Sequence, residues 1–110
     1  MIRDRIEKIE ATLNGAQNLP DETKRELLAL LTELKSEVSG LTETHGEDAA
    51  SIASFTEASV HEATREQKKP EQTAAALTGL TSSVHGFEAS HPRLVEIVDR
   101  IAVTLSNMGI

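Results

Sequence analysis

The apolar positions at the start of the chain repeat at helical spacing. The first run has intervals of four, three and four residues, which is the stripe of an amphipathic helix: Ile2, Ile6, Ile9 and Leu13. The run stops before Gly15, and glycine is the usual residue for the turn that follows a helix. We predict a first helix that ends near Gly15.

A second run is longer and wider. Pro20 suits the first turn of a helix, and Asp21 and Glu22 complement the positive helix N-terminus. The stripe again repeats by four and three, and Leu28 and Leu30 widen it; it consists of Leu27, Leu31, Leu34, Val38 and Leu41. We predict a helical hairpin over residues 1–45. Because the second stripe is wider than the first helix covers, something else must pack on it.

An additional helix is predicted within residues 46–69. Thr44 and Glu47 have the spacing of a capping box, which favours a helix start there, and the helix is expected to reach about Gln67. Its apolar face is made mostly of small side chains, so it buries little area unless its partner approaches closely. The face consists of Ala49, Ile52, Ala53, Thr56, Val60 and Ala63.

Residues 70–110 carry a further apolar series, and its helical spacing continues across Pro92 without losing phase. It comprises Leu77, Leu80, Val84, Phe87, His91, Leu94, Val98, Ile101, Leu105 and Met108. Proline removes a backbone donor and disfavours helical geometry in the preceding residue. One interpretation is a helix that ends near Ala89 and a new helix with Pro92 in its first turn. The other is a single helix kinked at Pro92, with His91 at the bend.

These patterns predict one all-α domain over residues 1–110, an antiparallel bundle of four or five helices. Only two of the 110 residues are aromatic, and Tyr and Trp are absent. The core must therefore be aliphatic, which favours helices over a β-sandwich. Long stripes in so short a chain also favour a homodimer, since a second copy would cover faces that one chain leaves open.

Composition narrows the function classes. The net charge of −7 argues against nucleic acid, because phosphate binding needs a basic surface. The same charge argues against an anionic membrane surface, and no apolar run approaches the roughly 20 residues that span a bilayer. The charged N-terminal sequence is unlike a signal peptide, so we expect a cytoplasmic protein. Cysteine is absent, which excludes disulfides and thiolate chemistry.

One pair of residues matches a metal-binding spacing. Glu88 and His91 form a Glu-x-x-His, which di-iron helical bundles use to aim two ligands inward. Those bundles need two such pairs and two further glutamates, whereas Glu57 and His61 have a different spacing. We therefore expect no metal or other cofactor, and a structural role for His91 beside Pro92. No nucleophile, phosphate-loop or dinucleotide motif is present, so we do not predict an enzyme.

The two ends of the chain resemble a known family. "LPDETKRELLALLTELKSEV" and "FEASHPRLVEIVDRIAVTLSNMGI" are similar to the short bacterial proteins grouped as domain of unknown function 4404. The positions that carry the resemblance are Phe87, Glu88, His91, Pro92, Leu94, Asn107, Met108, Gly109 and Ile110. The resemblance covers about half of the chain, and residues 46–69 look like additional length. It implies a cytosolic, all-helical protein and brings no activity.

Three hypotheses follow, each from a different class. The first is a small interaction or scaffold protein that self-associates through its apolar stripes, Leu27–Leu41 on the second helix and Leu94, Val98, Ile101 and Leu105 near the C-terminus. The second is a regulator or adaptor that offers the Leu27–Leu41 stripe to a partner protein as an apolar groove. The third is a helical metal protein that uses Glu88 and His91.

Overall fold

The computed structural model describes residues 2–17 and 19–109. In this part of the chain it contains five helices and no strand, which confirms the all-α bundle. The helices are α1 (Ile2–Gly15), α2 (Asp21–Leu41), α3 (Gly46–Ala63), α4 (Pro70–Ser82) and α5 (Pro92–Gly109).

The five helices form a closed ring in the order α1, α2, α5, α4, α3, and α3 also reaches across to α2 and α5. Side-chain contacts give the directions of the helices. Thr32 of α2 contacts Glu10 of α1, and the later Lys35 pairs with the earlier Glu7, so α1 and α2 are antiparallel. Arg93 of α5 pairs with Glu33 of α2, and the later Thr104 contacts the earlier Glu26, so α2 and α5 are antiparallel as well. Arg5 of α1 pairs with Glu57 of α3, while Lys8 and Thr12 of α1 line a cleft with Val60 and His61, so these two helices run parallel. In a closed ring of five helices, the direction cannot alternate between every pair of neighbours, and α1 and α3 are neighbours that run parallel.

The core is aliphatic, as the composition requires. The predicted stripes of α1, α2 and α3 are buried at nearly every position, and the small face of α3 is fully covered because α4 lies close against it. The radius of gyration is 12.9 Å, near the roughly 13 Å expected for a compact chain of this length.

The start and end of α3 differ from the prediction. The capping box at Thr44 is wrong: α3 begins at Gly46, His45 occupies the N-cap position, and no side chain caps the helix. Thr44 instead places its Oγ1 2.8 Å from His45 Nδ1. The helix ends at Ala63 rather than near Gln67: Thr64 leaves helical geometry with a φ of −105° and a ψ of 4°, and its backbone N–H donates to the Val60 carbonyl at 3.0 Å.

The region before Pro92 is a break and not a kink. Pro92 lies in the first turn of α5, as the first interpretation expected, but α4 ends at Ser82 rather than near Ala89. Gly86 has a φ of 99°, which a continuous helix does not accommodate. Phe87 N–H donates to the Val84 carbonyl at 3.1 Å, and similar short-range bonds run through the segment. These turns keep Val84 and Phe87 directed inward, which explains why the apolar phase survives the break.

Candidate interaction surface

All nine residues predicted to form an interaction or packing face lie inside the bundle of a single chain. Their side chains are at most 1% exposed: Leu27, Leu31, Leu34, Val38 and Leu41 on α2, and Leu94, Val98, Ile101 and Leu105 on α5. Helices α1, α3 and α5 of the same chain cover the α2 stripe. The open apolar groove of the adaptor hypothesis is therefore wrong at this position, and self-association through these stripes would require unpacking the core.

Glu88 belongs to the turn before α5. Its Oε1 accepts a hydrogen bond from the Gly86 backbone N–H at 2.8 Å, which holds the left-handed turn. The backbone N–H groups of Glu88 and Gly86 lower the pKa of the Glu88 carboxyl, desolvation opposes them, and His85 adds to the lowering through its charge. The carboxylate is thus used as a turn acceptor on the surface.

His91 takes part in a cluster of rings at this end of the bundle. Its ring lies 5.4 Å from that of Phe87, and His45 from the α2–α3 connection lies 5.4 Å from the same phenyl ring. The contacts are edge-to-face, a favoured geometry for aromatic pairs. His91 Nδ1 also lies 2.9 Å from Ser90 Oγ. The cluster joins the α2–α3 connection to the segment before α5, and His91 stands directly before Pro92.

The structure offers little support for a metal centre at Glu88 and His91. Residues 2–17 and 19–109 contain no group of three or more His, Asp or Glu side chains arranged to hold a metal ion. Glu88 is engaged with Gly86, and the His91 ring contacts Phe87. Within the described residues, no third possible ligand joins Glu88 and His91.

Two large hydrophobic side chains in the described region are exposed, and one of them has a partner. Phe55 of α3 is 40% exposed, but its ring rests on Gly79 of α4. A Cβ built on Gly79 would lie 2.4 Å from Phe55 Cε1, so the ring occupies the place that a side chain would fill. Phe55 therefore serves the α3–α4 contact.

Val103 is the other exposed large hydrophobic side chain, at 60%. It stands on the outer side of α5, between two open clefts. One cleft lies toward α2 and is lined by Leu19, Pro20, Thr23, Glu26, Lys68, Thr104, Asn107 and Met108. The other lies toward α4 and is lined by Leu77, Thr78, Thr81, Ala102, Ser106 and Asn107. We call Val103 and these two clefts the Val103 surface.

The Val103 surface is poor in charge. Its lining contains one acidic side chain, Glu26, and one basic side chain, Lys68. No charged residue follows Arg100 in the sequence, although 26% of the chain is charged. The described side chains that line this surface thus carry no net charge, on a chain with a net charge of −7.

The stripe-based prediction missed Val103 because it lies off the buried face of α5. That face is itself broader than predicted, since Ile97 and Ala102 are also buried where α5 contacts α2, α3 and α4. The sequence contains one indication of this surface: Val103 is out of phase with the apolar stripe and lies within residues 101–110, which carry no charged side chain.

The fold defines a small all-helical protein with an aliphatic core. The chain belongs to the family described as domain of unknown function (DUF4404), whose profile matches residues 27–110. The match includes residues 46–69, which were expected from the sequence to be additional length. It leaves α1 and residues 21–26 of α2 outside. Ile110, part of the resemblance, lies outside the described residues.

Neither a curated protein nor a solved structure matches the chain. No helix in the described part of the chain is long and apolar enough to cross a membrane.

Proposed function

We propose that this protein is a small helical interaction protein, with a binding role rather than a catalytic one, that self-associates through the Val103 surface. The observation that carries the proposal is the 60% exposure of Val103 on a surface without net charge. Charged residues are depleted at the centre of protein–protein interfaces, and the charge-poor lining around Val103 matches that composition.

Charge supports the choice of this surface for a second copy. Two chains of net charge −7 repel each other, and the repulsion is smallest where the facing surfaces are neutral. The Val103 surface meets this condition. The nearby outer positions of α5, Glu96, Asp99 and Arg100, carry charge instead.

The size of the surface predicts weak association. Its lining comprises about half of the roughly 20–30 residues per side found in stable interfaces. Complete burial of a valine contributes about 1.5 kcal/mol or more, and Val103 is already partly covered. We therefore expect a reversible dimer with a dissociation constant in the micromolar range or weaker.

Sedimentation velocity and light scattering over about 5–500 µM test the proposal. The wild-type chain should shift from monomer to dimer over this range, and Val103→Glu should remain monomeric. Ala11→Glu is the matched control, because it adds the same charge at an exposed position of α1 away from the surface. Circular dichroism checks that both variants fold. A wild-type chain that is monomeric throughout would overturn the proposal.

A further inference from the structure

Two side chains of opposite charge stand on the cleft between α2 and α5. Glu26 rises from α2, and its Oε1 accepts a hydrogen bond from Thr104 Oγ1 at 3.4 Å. Lys68 comes from the α3–α4 connection, and its Nζ donates to the Met108 backbone carbonyl at 2.6 Å. In the described part of the chain, neither of these two side chains has an oppositely charged group within 4.0 Å.

The two charges reach the last turns of α5 from different elements. Glu26 belongs to α2, which contacts α5 on one side of the ring, and Lys68 precedes α4, which contacts α5 on the other. The Met108 carbonyl lies at the negative C-terminal end of α5, where a cation is favoured, and this contact fixes the ammonium group at the end of the cleft. The cleft thus carries a separated positive and negative charge.

We propose that two copies of this chain meet around a two-fold axis at the Val103 surface, with Glu26 of each copy pairing with Lys68 of the other. This arrangement rests on the self-association proposed above and specifies its geometry. In a two-fold contact, a pair formed by residue i of one copy and residue j of its partner occurs a second time with the roles exchanged. Because the surface carries one charge of each sign, both symmetry-related contacts join opposite charges. Two charges of the same sign would repel each other in both contacts.

The arrangement has a consequence for assembly. A two-fold contact uses the same surface on both chains, so it closes after two copies and leaves no Val103 surface free. The dimer is therefore the largest species expected at any concentration, and higher oligomers do not follow. Because the reciprocal pairs lie at the edge of the contact, association should weaken as salt increases.

Charge exchange tests the pairing. Glu26→Lys and Lys68→Glu should each weaken dimer formation about ten-fold or more, because each homodimer then holds two like-charged contacts. An equimolar mixture of the two variants should form a heterodimer near wild-type strength, since both of its contacts join a lysine to a glutamate. The double variant that carries both exchanges should also dimerise. Both positions are exposed, so these variants should fold.

Glu22→Lys and Lys69→Glu are the controls, because they change the net charge by the same amounts at neighbouring positions that do not line the cleft. Dissociation constants from sedimentation equilibrium give the readout. Recovery in the mixture and in the double variant, but not in mixed controls, supports the pairing. If the exchanged variants associate like the controls while Val103→Glu remains monomeric, the pairing is wrong and self-association stands. If the wild type is monomeric throughout, both proposals are wrong.

Discussion

The contact between Phe55 and Gly79 makes a sharp prediction about the packing of α3 on α4. In the substitution Gly79→Ala, the new Cβ would lie 2.4 Å from Phe55 Cε1 and 2.5 Å from Phe55 Cδ1. Carbon atoms that are not bonded to each other do not approach so closely, so either the ring or a helix must move. The Phe55 ring is 40% exposed and has room to swing toward solvent, while the helix backbones stay in place.

Two terms set the size of the effect. Replacing a glycine inside a helix by alanine gains about 1 kcal/mol of helix propensity. Phe55 is about three-fifths covered, and full burial of a phenylalanine is worth roughly 1.5–3 kcal/mol, so displacing its ring costs about 1–2 kcal/mol. Gly79→Ala should therefore be neutral or destabilising by up to about 1 kcal/mol. In a Phe55→Ala background only the first term remains, and the same substitution should stabilise by about 1 kcal/mol.

Urea unfolding followed by circular dichroism at about 5 µM measures all four members of this double-mutant cycle. The chain has no Trp or Tyr, so fluorescence is not an option. Gly40→Ala serves as the control, because a Cβ there meets nothing within 4 Å. If Gly79→Ala stabilises the wild type and the Phe55→Ala background equally, the ring does not rest on Gly79 and the reasoning fails.

Three further predictions concern single sites. Gly86→Ala should lower the free energy of unfolding by about 1–2 kcal/mol, because φ is 99° there, whereas Gly46→Ala should change it by less than about 0.5 kcal/mol in the same urea titration. Ser59→Ala should raise the free energy of unfolding by about 1 kcal/mol, since Ser59 Oγ is buried without a hydrogen-bond partner among the described residues; a lower free energy of unfolding would contradict this. The lowered pKa of Glu88 makes its bond to Gly86 contribute stability above the carboxyl's ordinary pKa, and this contribution is lost as pH falls through the lowered value. Melting temperatures across that range should fall more for wild type than for Glu88→Gln, and equal falls would contradict the assignment.

The parts of the fold that the sequence predicts are those decided by side-chain periodicity. The α2 stripe from Leu27 to Leu41 is buried because each member returns to the same side of the helix after about one turn. The small face of α3, from Ala49 to Ala63, is buried for the same reason. Periodicity is a local property that tertiary packing leaves intact.

Features that depend on a single hydrogen bond or on backbone handedness were harder to predict. Thr44 has capping-box spacing, yet it contacts the neighbouring His45 ring, and no spacing rule distinguishes these outcomes. Helix α4 stops at Ser82 although Val84 and Phe87 continue its apolar phase. The left-handed Gly86 prevents the chain from continuing as a helix through this turn. The residue type does not reveal this φ from sequence, because another glycine, Gly79, lies inside α4.

The residues of the predicted interaction stripes lie in the core for a reason that concerns helical bundles in general. An apolar stripe shows that a helix face must be covered, but it does not show whether the cover is another helix of the same chain or a second copy. Here α5 packs against α2, so the apolar stripes of both helices are buried in the core of one chain. Under the self-association proposed above, the partner meets an apolar position outside the core. Val103 is such a position: it is out of phase with the α5 core, it lies in a stretch without charge, and it is 60% exposed. The proposal therefore assigns the contact to a residue that breaks the stripe, while the residues that form the stripe belong to the core.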